Sequence, residues 1–210
     1  MFGYYINLDK REDRNSHMKN IIKSNPFFEK VERMPATYSE IYGVGCLISH
    51  MKCITNLLKR NDKYYIILED DFFFLNKENF NNFTKDFDKI KNDDNWDIIV
   101  LTPKGNTIEK DKITNFHRII NHQTATGYII KHDFIPKLLS VWINNLGNLI
   151  KGYNGPLANP YFNDQCWKPL QLNSNFLYYK DIYGGQLPCY SDIEKKNVNY
   201  NKRFLDQIYY

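Results

Sequence analysis

An α/β fold in a single domain, with a mostly parallel sheet flanked by helices, is predicted by three observations. Short, almost unbroken apolar runs recur along the chain. Segments with apolar residues at helical spacing separate them, and one run ends abruptly in three carboxylates. Strands buried on both faces read as continuous apolar runs, and their alternation with helices points to parallel crossover units.

FGYYINL (2–8) predicts the first such strand. From Asp9 a polar stretch carries Met18, Ile21 and Ile22 at helical spacing, and the residue before Pro26 disfavours its continuation. VERMP (31–35) fits a second strand. GVGCLISHMKCITNLLKRN then places Val44, Leu47, Ile48, Met51, Ile54, Leu57 and Leu58 on one stripe, the clearest helix in the chain. YYIILED predicts a third strand, FNNFTKDFDKI (80–90) an amphipathic helix, and WDIIVL (96–101) a fourth strand. Beyond Pro103 the pattern loosens. ITNFHRII (113–120) and TGYIIK (126–131) read as strands, FIPKLLSVWINNL (134–146) as a helix, and the Gly, Pro and Asn between 149 and 163 as loop. The polar end, 194–210, is read as a tail to a domain spanning 1–193.

Composition bounds the function. The 210 residues suffice for one sizeable core, with 42% hydrophobic and 25% charged residues. A net charge of +4, with basic residues scattered, excludes a nucleic-acid polymer as the expected partner and leaves room for a basic pocket for one small anion. Cys46, Cys53, Cys166 and Cys189 form no CxxC pair, so reduced thiols and a cytoplasmic location are expected. No apolar run reaches transmembrane length, and MFGYYINLDKR lacks a signal-peptide layout. A homodimer is left open.

Ligands of open parallel sheets bind at the carboxyl ends of the strands, where Glu69-Asp70-Asp71 falls. Adjacent carboxylates repel unless solvent or a positive charge faces them. Oxygen ligands in this place suit Mg²⁺ or Mn²⁺ completed by substrate phosphates; a turn cap with solvated neighbours is the alternative. Asn7, Arg11 and Arg14 lie just beyond the first strand, where a base or phosphate would rest, although Arg11 and Arg14 also suit a helix surface paired with Glu12 or Asp13. His50 reads as a packed helical histidine rather than a catalyst. No histidine falls in a recognisable ligand spacing, which disfavours a two-metal phosphoesterase.

Taken in order, YYINLDKREDR, GVGCLISHMKCI, YYIILEDD, WDIIVL, TATGYIIKHDFIPKLL and GGQLPCYSDI resemble glycosyltransferase family 25, which includes lipopolysaccharide glycosyltransferases and the collagen β-galactosyltransferase group. The resemblance spans roughly residues 3–193. It implies a Rossmann-like fold of the GT-A type, a UDP-linked nucleotide-sugar donor, a glycan or other hydroxyl acceptor and inverting transfer of a hexose. On this resemblance Asp71 and Glu69 would hold Mn²⁺ or Mg²⁺ with Asp192, and Asp70 would touch ribose, sugar or a metal-bound water. Asn7, Arg11, Arg14, Thr126, Gly127, Gln186 and Ser191 would line the donor site, Gly127 leaving room for the sugar. Asp164, after a Gly/Pro-rich loop, is the expected base, with an N-cap of a short helix as its other reading. A nucleotide-sugar or glycan-binding module without activity is the competing function. The segments 103–124 and 147–163 follow no family pattern.

Overall fold

The computed structural model describes residues 1–110, 114–152, 159–192, 195–201 and 208–209. In chain order the elements are β1 (Phe2–Asn7), α1 (Glu12–Ser24), β2 (Lys30–Pro35), α2 (Val44–Leu57), β3 (Tyr64–Glu69), β4 (Phe72–Phe74), α3 (Lys77–Ile90) and β5 (Ile98–Val100). There follow β6 (Gly105–Lys110), β7 (Phe116–Ile120), β8 (Gly127–Lys131), α4 (Ile135–Lys151), α5 (Asn163–Cys166), α6 (Lys168–Leu172) and β9 (Phe176–Tyr179). The chain closes with β10 (Gly184–Gln186), β11 (Cys189–Ser191), β12 (Lys196–Val198) and β13 (Ile208–Tyr209).

One sheet organises the molecule, in the order β13-β6-β7-β9-β5-β8-β3-β1-β2. Seven of its nine strands run the same way; β7 and β8 are reversed. The sheet is mostly parallel, as expected, and one of its two reversals falls at its centre. β8 lies antiparallel between β3 and β5, pairing Leu68 with Gly127 on one side and Val100 with Tyr128 on the other. Apolar periodicity detects a strand but carries no direction, and the loosened pattern after Pro103 is the excursion that brings the chain back reversed. β9, a parallel neighbour of β5, is a central strand that the sequence reading passed over.

Alternation along the central strands explains why the apolar runs are continuous. Tyr65 and Ile67 face one layer, with Val44, Leu47, Ile54 and Leu57 of α2 and Leu138 and Trp142 of α4. Ile66 and Leu68 face the other, with Met18 and Ile21 of α1 and Phe80, Phe83 and Phe87 of α3. A strand covered on both faces has no polar side to show. The second layer is largely aromatic, with Phe83 in ring contact with Phe80, Phe87, Phe116, Tyr179 and Tyr183. That is where the chain's high Phe and Tyr content goes. α3 starts where Asn76 accepts a hydrogen bond from the Asn79 amide at 3.0 Å. Within 194–210, β12 pairs with β11 and β13 with β6. Among the described residues, no helix is long and apolar enough to cross a membrane.

Candidate active site

β3 delivers Glu69, Asp70 and Asp71 to its carboxyl end, beside the ends of β1 and β5, and the three carboxylates meet different partners. Asp70 is buried; its Oδ2 accepts from Asn7 Nδ2 at 2.7 Å and its Oδ1 from Arg14 Nη1 at 2.7 Å. Arg14 Nη1 also lies 3.4 Å from Asp71 Oδ2, while Nη2 meets Cys189 Sγ and the Tyr190 carbonyl, each at 3.0 Å. Arg14 therefore supplies the positive charge that the triplet's repulsion calls for, and it ties β11 to α1. Asn7 is committed too, donating to the Arg11 carbonyl and accepting from Arg33 Nε at 2.9 Å.

Asp71 is the member left partly open. Its Oδ1 is buried and has no hydrogen-bond partner among the described residues, while the Gln186 side chain hydrogen-bonds to the carboxylate. Burial, then the charge of Glu69, pushes Asp71 up to about 7, against the pull of Arg14. Gln186 reaches it because β10 pairs antiparallel with β4, Gln186 opposite Phe72. Gly184 makes that pairing possible: a Cβ there would stand 2.2 Å from the Leu101 carbonyl oxygen.

Glu69 turns toward α2. Its Oε1 accepts from His50 Nε2 at 3.1 Å and from the Cys46 thiol at 3.7 Å, and its Oε2 from Thr126 Oγ1 at 3.4 Å. His50 Nδ1 in turn meets the Tyr128 hydroxyl at 3.1 Å. Burial alone would raise the Glu69 carboxyl; the His50 hydrogen bond and charge, with Arg14 and Cys46, outweigh it and hold it below its ordinary value. His50 is fully buried, as its reading as a packed helical histidine expects, and it also holds Glu69. Cys46, His50 and Glu69 bring three potential ligand atoms within 4.8 Å of one another. The signal was present: Cys46 and His50 are four apart on the clearest helix of the chain, hence on one face.

The remaining expected residues are placed as follows. Asp164 stands in the first turn of α5, whose N-cap is Phe162, and caps no helix. Its Oδ2 accepts from the Thr124 amide at 3.0 Å, across the chain. Thr124 has φ of 88°, a conformation that a β-branched residue avoids, and its hydroxyl is held by the Thr102 carbonyl at 3.1 Å. Burial raises Asp164 above the usual carboxylate range, and the Glu69 charge adds to it. Arg11 is engaged by Asp13 at 2.8 Å and by Asp192 at 2.6 Å, and Asp192 by Lys10 at 2.8 Å. Gly127 packs internally rather than leaving space for a sugar, since a Cβ would meet Phe72, Leu68 and Leu101 at 3.1–3.3 Å. Ser191 ends β11, opposite Lys196.

A sheet running mainly one way, with one reversed strand between β3 and β5 and an acidic cluster at the carboxyl end of β3, fits the GT-A type fold expected from the sequence. The sequence matches the family model described as glycosyltransferase family 25 (LPS biosynthesis protein) over residues 24–146, more than half of the chain. The chain belongs to glycosyltransferase family 25. Cys46, His50, the acidic triplet, Thr126 and Gly127 lie within that span. Among solved structures, a glycosyltransferase involved in glycosylation of the major capsid of PBCV-1 superposes with a TM-score of 0.53 at 8% identity, covering 98% of this chain and 88% of that one. A197 from STIV superposes with a TM-score of 0.50 at 9% identity, covering 100% and 97%. At such identities the likeness is one of fold. This chain spans 59% of the length of a mannose-1-phosphate geranyltransferase from Thermus thermophilus, at 6% identity and a TM-score of 0.45 too slight to build on. No curated protein matches the sequence.

Proposed function

We propose that the chain transfers a hexose from a UDP-linked sugar to a hydroxyl of a glycan acceptor, in a single inverting displacement assisted by a divalent cation. The observation that carries this reading is Asp71: a half-buried carboxylate just past the end of β3, with one buried oxygen unpartnered among the described residues, in a fold of the GT-A type. Such an oxygen fits a hard ion of the Mn²⁺ or Mg²⁺ kind, whereas Glu69 turns away toward Cys46 and His50. Asp192 fits poorly, because Lys10 and Arg11 already neutralise it. When bound, the cation supplies charge neutralisation for the departing diphosphate.

The chain's own residues account for the rest. Asp164 takes the proton of the acceptor hydroxyl as its oxygen bonds to the anomeric carbon. The bond from that carbon to the phosphate oxygen breaks, and the nucleoside diphosphate leaves with the electron pair. A base with raised proton affinity is better matched to this task near neutral pH than an ordinary aspartate. Arg14 anchors Asp70 and so fixes the direction in which the triplet presents Asp71. Four free cysteines support a reducing compartment, consistent with cytoplasmic synthesis.

Purified protein incubated with a panel of UDP-sugars and Mn²⁺ should release UDP slowly without acceptor. Asp71→Asn should reduce release at least about a hundredfold, on the scale of losing one electrostatic stabiliser. No release from any UDP-sugar by folded wild-type protein, with donor still bound, would leave a binding module instead.

A further inference from the structure

We propose that Cys46, His50 and Glu69 form a zinc site, chemically distinct from the hard-cation site at Asp71. Sulfur and imidazole donors disfavour Mn²⁺ and Mg²⁺ and favour Zn²⁺, which takes Cys, His and carboxylate ligands and keeps an open position when the protein offers three. The spacing suits such an ion. Zinc bond lengths at a tetrahedral angle place neighbouring nitrogen and oxygen ligand atoms roughly 3.3–3.5 Å apart, and a sulfur about 3.5–3.7 Å from either. Here His50 Nε2 lies 3.1 Å and Cys46 Sγ 3.7 Å from Glu69 Oε1. The elements enforce this. Cys46 and His50 share a face of α2, and β3 ends opposite them.

The surroundings also match those of a metal ligand set. His50 is fully buried, and its far nitrogen meets the Tyr128 hydroxyl, a partner that fixes the ring. Thr126 Oγ1 orients the second Glu69 oxygen. Glu69 keeps 23% of its side chain exposed, which gives the ion an entry path. In the metal-free arrangement one carboxylate oxygen accepts from both an imidazole N–H and a thiol. A dication at their centre replaces both protons. The thiol proton leaves to solvent, the imidazole stays neutral with its proton moved to Nδ1, and Tyr128 Oη becomes its acceptor. Two ligand anions then balance the dication, so the buried site carries no net charge.

This inference goes beyond the transfer reading, and its test needs no sugar donor. Full-length protein should bind one Zn²⁺ in competition with a chromophoric chelator. Loaded with Co²⁺ instead, it should show a thiolate-to-metal charge-transfer band in the near ultraviolet. Cys46→Ser, nearly isosteric, should abolish the band and weaken zinc at least about tenfold, and His50→Asn should weaken it comparably. Cys53→Ala, on the same helix but in the core, should leave both unchanged. Wild-type protein that binds no zinc, or that binds it no more tightly than folded Cys46→Ser, overturns the site. So does a band that survives in Cys46→Ser. UDP release from the donor assay reads the transfer function separately, so either result stands alone.

Discussion

At the residue scale, three adjacent carboxylates have three separate fates. Asp70 is consumed by Asn7 and Arg14, Glu69 faces Cys46 and His50, and Asp71 keeps a free oxygen among the described residues. The resemblance gave Asp71 and Glu69 to a metal and Asp70 to ribose, sugar or a metal-bound water, but the partners that hold them, from α1, α2 and β10, lie far away along the chain. Asp164 shows the same division of labour. It holds the Thr124 amide, so the side chain has a structural duty besides any chemical one. Two variants separate them. Asp164→Asn keeps an acceptor oxygen for Thr124 and should lower turnover at least about a hundredfold with donor affinity and melting temperature nearly unchanged. Asp164→Ala also strands the Thr124 amide and should cost about 1–3 kcal/mol of stability in urea titration. Normal turnover in the asparagine variant would confine Asp164 to its structural role.

At the element scale, the segments written most clearly in the sequence are those whose environment is uniform. α2 shows its buried stripe, and β1 and β3 show their double-sided burial. Less legible were the elements defined by distant pairing. β9 is four residues long, between polar neighbours, and becomes a central strand only by docking on β5. β4 and β10 are three residues each and exist as a pair. The reversal of β8 was equally hidden, and so were the neighbours of Gly127 at its start, expected to leave room for a sugar and found against Phe72 and Leu68. Gly127→Ala should therefore act through the core. We expect about 1–3 kcal/mol of overpacking cost, read in chemical denaturation, with the apparent affinity for donor little altered.

At the scale of the whole molecule, the site's electrostatics should appear in stability. The Asp71 carboxyl titrates near 3.8 when unfolded and near 7 when folded, so the folded chain holds its proton over the interval between. Its contribution to stability is present at low pH and is lost as pH rises through about 7. Wild-type protein without metal should therefore lose melting temperature between about pH 4 and 7 more steeply than Asp71→Asn, each kcal/mol amounting to about 2–4 °C for a chain of this size. Superimposable pH profiles for the two proteins would place Asp71 in water. A divalent cation should reverse the slope, since the ion needs the ionised form.

The reversed strand has a further consequence. Because β8 runs against β3 and β5, the Leu101 amide, where the chain departs from β5, donates to the Gly127 carbonyl at 2.9 Å, where it comes home. Exit and return are thus stitched together beside the acidic tip, while between them β7 is paired with β9 and the Thr124 amide is held by Asp164. A change in that excursion would reach β9 and Asp164 directly, while Glu69, Asp70 and Asp71 would keep the partners that α1, α2 and β10 supply.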